Sequence, residues 1–314
     1  MRVSAARLIE HGTPLRVETV EIGEPAVDEV LVEMSFGAVN PVDRYGAQGL
    51  TAPDGPVPRT LGTEGAGYAG GKKVLVHGAG VGTRRDGVWA SAAVVPKRAL
   101  TEVPEGVDLD QAATVGIAGA TAWSCVTEVA KVNGDDRVLV LGASGGVGSM
   151  IVSLCSSIGA VVWAQSESED KRDWLVGLGA EQVVVSDAAG LEAECGRLSP
   201  SVVFDPLGDG FTGQCVALAA PNSRIVLFGT SAGTSGELPL QAVYRKHLTI
   251  FGYGGLIATE ESLANAKHAA LEAVATGKMR ISIGATFPLA SVNEALEQQA
   301  NRSVKGKVLL DLRT

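Results

Sequence analysis

Aromatic side chains are scarce in this 314-residue chain, at 4%, beside 40 glycines and 46% hydrophobic residues. An interior with so few rings is filled by Val, Leu, Ile and Ala, which suits a parallel sheet covered on both faces. Long basic runs are missing, and the formal net charge is −9. Nucleic acid and anionic membranes are gripped by clustered Lys and Arg, so neither is expected as a partner. Only four cysteines occur, Cys125, Cys155, Cys195 and Cys215, with no CxxC pair among them. That spacing argues against a zinc ribbon, a redox dithiol and a dense disulfide framework. Buried thiols in a reducing, cytoplasmic setting are expected instead. The opening segment MRVSAARLIEHGTPLRVETVEI has charges on both sides of a short apolar patch, and no secretion signal is read in it.

Charge is also absent from RVLVLGASGGVGSMIVSLCSSIGAVVWAQS, residues 137–166, once Arg137 is passed. Length alone would allow a membrane span. The glycines Gly142, Gly145, Gly146 and Gly148 argue otherwise, because they cluster after a β-branched run and mark a tight turn. RVLVLGA reads as a buried strand, VGSMIVSLCSSIG as a helix ended by Gly159, and AVVWAQS as the next strand. The stretch is a βαβ unit.

Its turn, GASGGVG, fits the dinucleotide fingerprint in the form A-x-G-x-x-G. Ala143 makes the tight turn, Gly145 lets the backbone approach a pyrophosphate, and Gly148 lets the helix pack on the sheet. Ser144, Gly146 and Val147 complete a turn whose helix N-terminus offers N–H groups to phosphate. NAD-binding units place an Asp or Glu about 20 residues past the glycines to hold the ribose 2′-OH. That place holds Ser166, followed by Ser168, Lys171 and Arg172. A hydroxyl does not repel a 2′-phosphate, and Lys and Arg pair with one. Glu167, Glu169 and Asp170 oppose it, yet NADPH is favoured over NADH as cofactor.

Strand and helix patterns continue through EQVVVSD, PSVVFDPLG, SRIVLFGTSAG and HLTIFGYGG, giving a doubly wound parallel sheet. ESLANAKHAALEAVATGKM reads as a helix ended by Gly277. Residues 1–112 instead carry short strands and Gly/Pro turns, as in EVLVEMSFGAVN and KKVLVHG, and GKVLLDL is a terminal strand. The expectation is an α/β chain with a dinucleotide-binding domain over 113–255 and a mainly-β domain built from 1–112 and 256–314.

The motifs GAVNPVDRYGAQG, LGTEGAG, GVWASAAVVP, AATVGIAGATAW, LGASGGVG, FDPLG and VKGKVLL, in this order, resemble the medium-chain dehydrogenase/reductase superfamily. Within it the chain looks like the zinc-free quinone oxidoreductase, or zeta-crystallin-like, branch. The resemblance implies a Rossmann sheet plus a GroES-like mainly-β catalytic domain. The places of the family's catalytic zinc ligands align with Asn40, Thr63 and Ile117, a poor donor set for zinc. The structural zinc loop is absent, and the region after Gly67, YAGGKKVLV, is shortened. No metal is expected.

Without a Lewis acid, hydride needs an electron-poor acceptor, so a quinone or an α,β-unsaturated carbonyl (enone) is the expected substrate. Tyr45 is the leading candidate to donate to its carbonyl oxygen, and Asn40 to contact substrate or the nicotinamide end. Asp43 is read as orienting the loop or pairing with Arg44. The resemblance further implies that Thr121, Phe228, Gly229, Thr230, Phe251, Gly252, Tyr253 and Arg302 line the cofactor, with Lys305 beside Arg302. It places Ser186 where relatives carry a tyrosine on the 2′-phosphate, and Thr51 where some enoyl reductases carry a proton-donating tyrosine. His11, His77, His247 and His268 fall outside these motifs, and none is read as a base. Two other readings are an enoyl-thioester reductase and a non-catalytic NADPH-binding redox sensor. A homodimer joined through the edge strand KHLTIFGYG is expected.

Overall fold

The computed structural model describes residues 1–195 and 197–313. They divide into two units, one of Met1–Ala120, Glu260–Ala275 and Ile281–Thr314, the other of Thr121–Thr259 and Thr276–Arg280.

In the second unit a six-stranded parallel sheet runs in the spatial order Gln182–Val185, Val161–Ser166, Arg137–Val140, Val202–Asp205, Arg224–Leu227, Thr249–Gly252. The strand order reverses between Arg137–Val140 and Val202–Asp205, which are paired in register from Val202 opposite Val138 to Phe204 opposite Val140. Ligands of open α/β sheets bind at such a reversal, beyond the carboxyl ends of the strands. The strands are nearly continuous Val, Leu, Ile and Phe because helices cover both faces, and Val138, Leu139, Val140, Val203 and Phe204 are fully enclosed. The long uncharged stretch breaks into strand Arg137–Val140, helix Gly146–Ile158 and strand Val161–Ser166. Gly159 ends the helix in the left-handed region at φ 95°, a cap that a Cβ would strain. Among the described residues no helix is long and apolar enough to cross a membrane.

The first unit holds two sheets. Arg2–Leu8 pairs antiparallel with Arg16–Glu21 and with Arg59–Thr60. A seven-stranded sheet is organised on the strand Glu29–Val39, whose 11 residues pair with Glu64–Ala69, Ala92–Pro96 and Lys307–Asp311. Its core is aliphatic around one aromatic, Trp89, which is fully buried and donates its indole N–H to Ala38 O at 3.3 Å. Gly62, at φ +100°, makes room for that ring, since a Cβ there would lie 2.3 Å from Trp89 Cδ1. The strand Lys307–Asp311, predicted from GKVLLDL, lies beside Glu29–Val39 with Val308 opposite Val39. That register sets a late lysine next to the motif that begins at Asn40.

Candidate active site

The residues marked by the sequence fall in two groups, one in each unit. In the first unit, Asn40 caps the short helix Pro41–Ala47, which carries Asp43 and Tyr45. Asp43 Oδ2 accepts from the Asn40 N–H at 2.9 Å, and its Oδ1 accepts from the Thr63 N–H and hydroxyl at 2.9 and 2.7 Å. These bonds tie the NPVD segment to the LGTEG segment, the orienting role read for Asp43. Burial raises the Asp43 carboxyl to about 6, with the Thr63 and Asn40 bonds pulling the other way.

Glu64 follows in the strand Glu64–Ala69 and is fully enclosed. It accepts from Asn40 Nδ2 at 2.7 Å through Oε1 and from the Ile117 N–H at 2.7 Å through Oε2. Lys307 Nζ lies 3.5 Å from Glu64 Oε1 and donates to Asn40 Oδ1 at 2.5 Å and Val39 O at 3.4 Å. Burial pushes the Glu64 carboxyl up, and Lys307, Asn40 and the Ile117 N–H oppose that. Both ends of the Asn40 amide are therefore held inside the protein, its oxygen by an ammonium and its nitrogen by a carboxylate. A donor role toward substrate is left only to its second amide hydrogen. Tyr45 is half-buried, with the Arg44 guanidinium carbon 5.1 Å from its ring centroid. Among the described residues its hydroxyl makes no hydrogen bond. Arg302 sits in a left-handed turn at φ 53°.

Neither Glu64 nor Lys307 was singled out by sequence reasoning. The available signal was a glutamate inside LGTEGAG and a lysine opening an apolar strand, two charges where a core would otherwise be apolar.

In the second unit, the turn Ala143–Gly148 stands at the carboxyl end of Arg137–Val140. Gly142 N–H donates to Gln165 Oε1 at 2.9 Å and Ala143 N–H to Gln165 O at 2.9 Å, while Gln165 Nε2 donates to Ser186 O at 2.7 Å. Gln165 thus pins the turn to the neighbouring strands, a part the sequence reading missed although VVWAQS carries Gln165 beside Ser166 in a buried strand. A Cβ on Gly148 would lie 2.5 Å from Gly142 O, whereas one on Gly145 would meet only Gly142 O at 3.4 Å. Gly148 serves packing, and Gly145 leaves an open approach. The N–H groups of Gly146, Val147 and Gly148 fall in the first helical turn, where no intrahelical acceptor exists, so this side of the turn fits a phosphate.

Around it, Lys171 is buried with its Nζ 3.4 Å from Ser144 Oγ. Ser166 is buried at its strand end and within 3.4 Å of the Ser168 backbone, and the Ser168 hydroxyl donates to Asp170. Arg172 is engaged elsewhere: it grips Glu169 with Nε and Nη2, and Nη1 donates to Val183 O at 2.7 Å. Phosphate pairing by Arg172 requires that ion pair to open, so Lys171 is the better placed cation. Among the described residues the enclosed Ser186 Oγ has no hydrogen-bond partner. Asp205 of FDPLG accepts from the Leu207 and Gly208 N–H groups and the Thr212 hydroxyl at 2.8, 3.1 and 2.7 Å, fixing the loop beside Gly142. Phe228, Gly229 and Thr230 follow the strand Arg224–Leu227, while Phe251 and Gly252 end the next and Tyr253 follows it, all at the same carboxyl edge. Burial raises the Tyr253 phenol, and a hydrogen bond with Ser124 moderates it. Thr121 is half-buried in the helical segment Ala120–Trp123.

Residues 146–267 match the family described as zinc-binding dehydrogenase. Quinone oxidoreductase-like protein 2 of Bos taurus is 27% identical over 327 residues, across 98% of this chain and 92% of the relative. A mycocerosic acid synthase-like polyketide synthase of Mycobacterium tuberculosis is 27% identical over 322 residues, a match spanning 96% of this chain but 15% of that protein. The crystal structure of an NAD-dependent alcohol dehydrogenase superposes with a TM-score of 0.90 at 28% identity, covering 99% of both chains. The chain belongs to the medium-chain dehydrogenase/reductase superfamily.

The family description implies zinc, and the residues here do not fit it. Thr63 spends its hydroxyl proton on Asp43, Ile117 contributes a backbone N–H to Glu64, and the ammonium of Lys307 already lies against Asn40 Oδ1. Catalytic zinc takes three side-chain N, S or O donors and keeps one open position. Here the donors are consumed by an internal hydrogen-bond network.

Proposed function

We propose that this chain is an NADPH-dependent reductase that works without zinc and passes hydride to quinones or enones. The observation that carries the reading is the buried Asn40–Glu64–Lys307 network, in which a lysine ammonium lies against Oδ1 of Asn40, the residue at one of the family's metal-ligand places. Bound NADPH supplies the hydride, which an electron-poor carbon accepts without Lewis-acid help. The chain's own residues do the rest. Gly145, Gly146 and Val147 receive the pyrophosphate, Lys171 and Ser166 the 2′-phosphate, and the carboxyl-edge segments Phe228–Thr230 and Phe251–Tyr253 the nicotinamide side. Tyr45 donates its hydroxyl to the carbonyl oxygen that gains negative charge, and Asp43, through Asn40 and Thr63, holds the helix that carries it.

Replacing Tyr45 by Phe tests this. One donor to a developing oxyanion is worth about 10²–10³ in rate. A Y45F enzyme is expected to lose roughly 100-fold in kcat on the preferred acceptor and to bind NADPH as before. An unchanged kcat removes Tyr45 from the chemistry.

The polyketide synthase relative favours a second reading, an enoyl-thioester reductase. Turnover on crotonyl-CoA well above that on free enones would select it.

The strand Thr249–Gly252 forms one edge of its sheet, with exposed Leu240 and Tyr244 on the preceding helix Leu240–Arg245. We propose a homodimer through this edge, and sedimentation at micromolar concentration is expected to give twice the 32.2 kDa chain mass.

A further inference from the structure

The helix Pro41–Ala47 that carries Tyr45 is held at its amino end by the bonds of Asp43 to Asn40 and Thr63. Its carboxyl end meets a buried arginine that lies outside every motif. Arg59, 1% exposed, opens the strand Arg59–Thr60 and stands opposite Leu8. Its Nη2 donates to Gly46 O at 3.4 Å, its Nη1 to Pro56 O at 2.9 Å and its Nε to Gly82 O at 3.3 Å. Carbonyls from three segments converge on one guanidinium.

A guanidinium keeps its proton in proteins, so a charge is buried here and its desolvation is offset by the bonds it makes. Among the described residues no carboxylate pairs with it, and Asp86 Oδ1 is taken by the Thr60 N–H at 2.6 Å and by Arg7 Nη1 at 2.8 Å. The acceptors are instead the two ends of one loop and the body beneath it. Tyr45 O accepts from the Leu50 N–H at 2.9 Å and the Thr51 N–H at 3.4 Å, so the loop begins on Tyr45 itself, and Pro56 lies at its far end. Gly82 packs on the LGTEG segment, where a Cβ would lie 2.5 Å from Gly62 O and 2.9 Å from Thr63 N. Arg59 therefore ties the exit of the Tyr45 helix to the same segment that Asp43 ties to its entry. A planar fork of five donors bridges several acceptors in one geometry, which the point charge of a lysine does not reproduce.

We propose that Arg59 is a positioning residue for the reduction, its guanidinium clasping the carboxyl end of the Tyr45 helix so that the phenol keeps its place for the acceptor's carbonyl oxygen. This rests on the reductase reading above, with Tyr45 as its donor. Arg59 is enclosed and acts through the backbone that follows Tyr45. A reacting group misplaced by about 1 Å can cost about 100-fold in rate, so a loosened clasp is read in kcat. Binding of NADPH, whose glycine turn lies in the other unit, is expected to stay as it was.

The test is a double-mutant cycle on the full chain: Arg59→Gln and Arg59→Lys, each alone and combined with Tyr45→Phe, assayed with NADPH and the preferred acceptor. R59Q is expected to lose at least about tenfold in kcat and R59K less, both binding NADPH as wild type does. In the Y45F background either substitution is expected to cost little more, because the donor it positions is gone. A residue that only stabilises the fold cuts kcat by the same factor in both backgrounds, and that result overturns the proposal. So does either variant being as fast as wild type, and R59K carries the cycle if R59Q does not fold. Amide hydrogen exchange over residues 46–58 is expected to quicken in both variants. A wild-type protein that reduces no quinone or enone refutes the reductase reading and the catalytic part of the proposal with it. Quickened exchange over 46–58 then leaves Arg59 as the clasp of the Tyr45 helix, and unchanged exchange overturns that as well.

Discussion

Removing the ammonium of Lys307 with a Lys307→Met substitution isolates the physics of the buried network. Glu64 and Lys307 are 3.5 Å apart, with side chains 0% and 5% exposed. Methionine fills similar volume, so the change is chiefly electrostatic: Glu64 keeps the Asn40 amide and the Ile117 N–H but loses its cation. Breaking a buried pair by removing one partner costs about 3–5 kcal/mol, because the other charge stays buried and uncompensated. The carboxyl responds by holding its proton. Burial already raises it, and Lys307 is the largest influence pulling it back, so in K307M it rises further. In the window between the ordinary carboxylate value and that raised value, the folded variant keeps a proton that its unfolded chain has lost. Stability of the variant therefore falls as pH rises through this window. Urea unfolding of wild type and K307M at about pH 5 and about pH 8 is expected to show a gap that widens toward alkaline pH, reaching about 3–5 kcal/mol. Glu64→Gln in the K307M background is expected to recover most of the loss, since no charge remains to be compensated. A K307M cost below about 1 kcal/mol at the higher pH, or a gap independent of pH, refutes the reasoning.

Asp43, raised to about 6 by burial, favours the folded state fully below the ordinary aspartate value, and that contribution is lost as pH rises through about 6. Two pH units at about 1.4 kcal/mol each come to about 3 kcal/mol, so unfolding free energy of Asp43→Asn is expected to fall less steeply between about pH 4 and pH 6 than that of wild type; equal slopes contradict this. Gly148→Ala puts a Cβ 2.5 Å from Gly142 O and 2.8 Å from Ala143 Cα, both backbone that cannot step aside. Fluorescence titration is expected to show at least about tenfold weaker NADPH binding, together with a lower melting temperature. With Lys171 receiving the 2′-phosphate as proposed, its ammonium 3.4 Å from Ser144 Oγ, Lys171→Ala is expected to weaken NADPH far more than NADH; equal losses for both cofactors count against the assignment.

The α/β sheet was legible because each of its strands carries its own local signal. Arg137–Val140, the glycine turn and helix Gly146–Ile158 follow in one uninterrupted stretch, so periodicity and turn chemistry suffice to place them. The buried network was not legible, for a physical reason. Asn40, Glu64 and Lys307 meet only through the registers of Glu29–Val39 with Glu64–Ala69 and with Lys307–Asp311, pairings between segments far apart in sequence. The residue types of Lys171 and Arg172 gave no hint of their different settings, since the ion pair of Arg172 with Glu169 is a matter of side-chain geometry on one short helical turn.

The most direct test of the account is the initial rate of NADPH oxidation by the purified protein in EDTA, with an ortho-quinone and with a simple enone, and with NADH in parallel. Turnover that survives the chelator, and is faster with NADPH than with NADH, is the predicted result. Activity that EDTA abolishes and added zinc restores, or no oxidation with either acceptor, contradicts a metal-independent quinone or enone reductase.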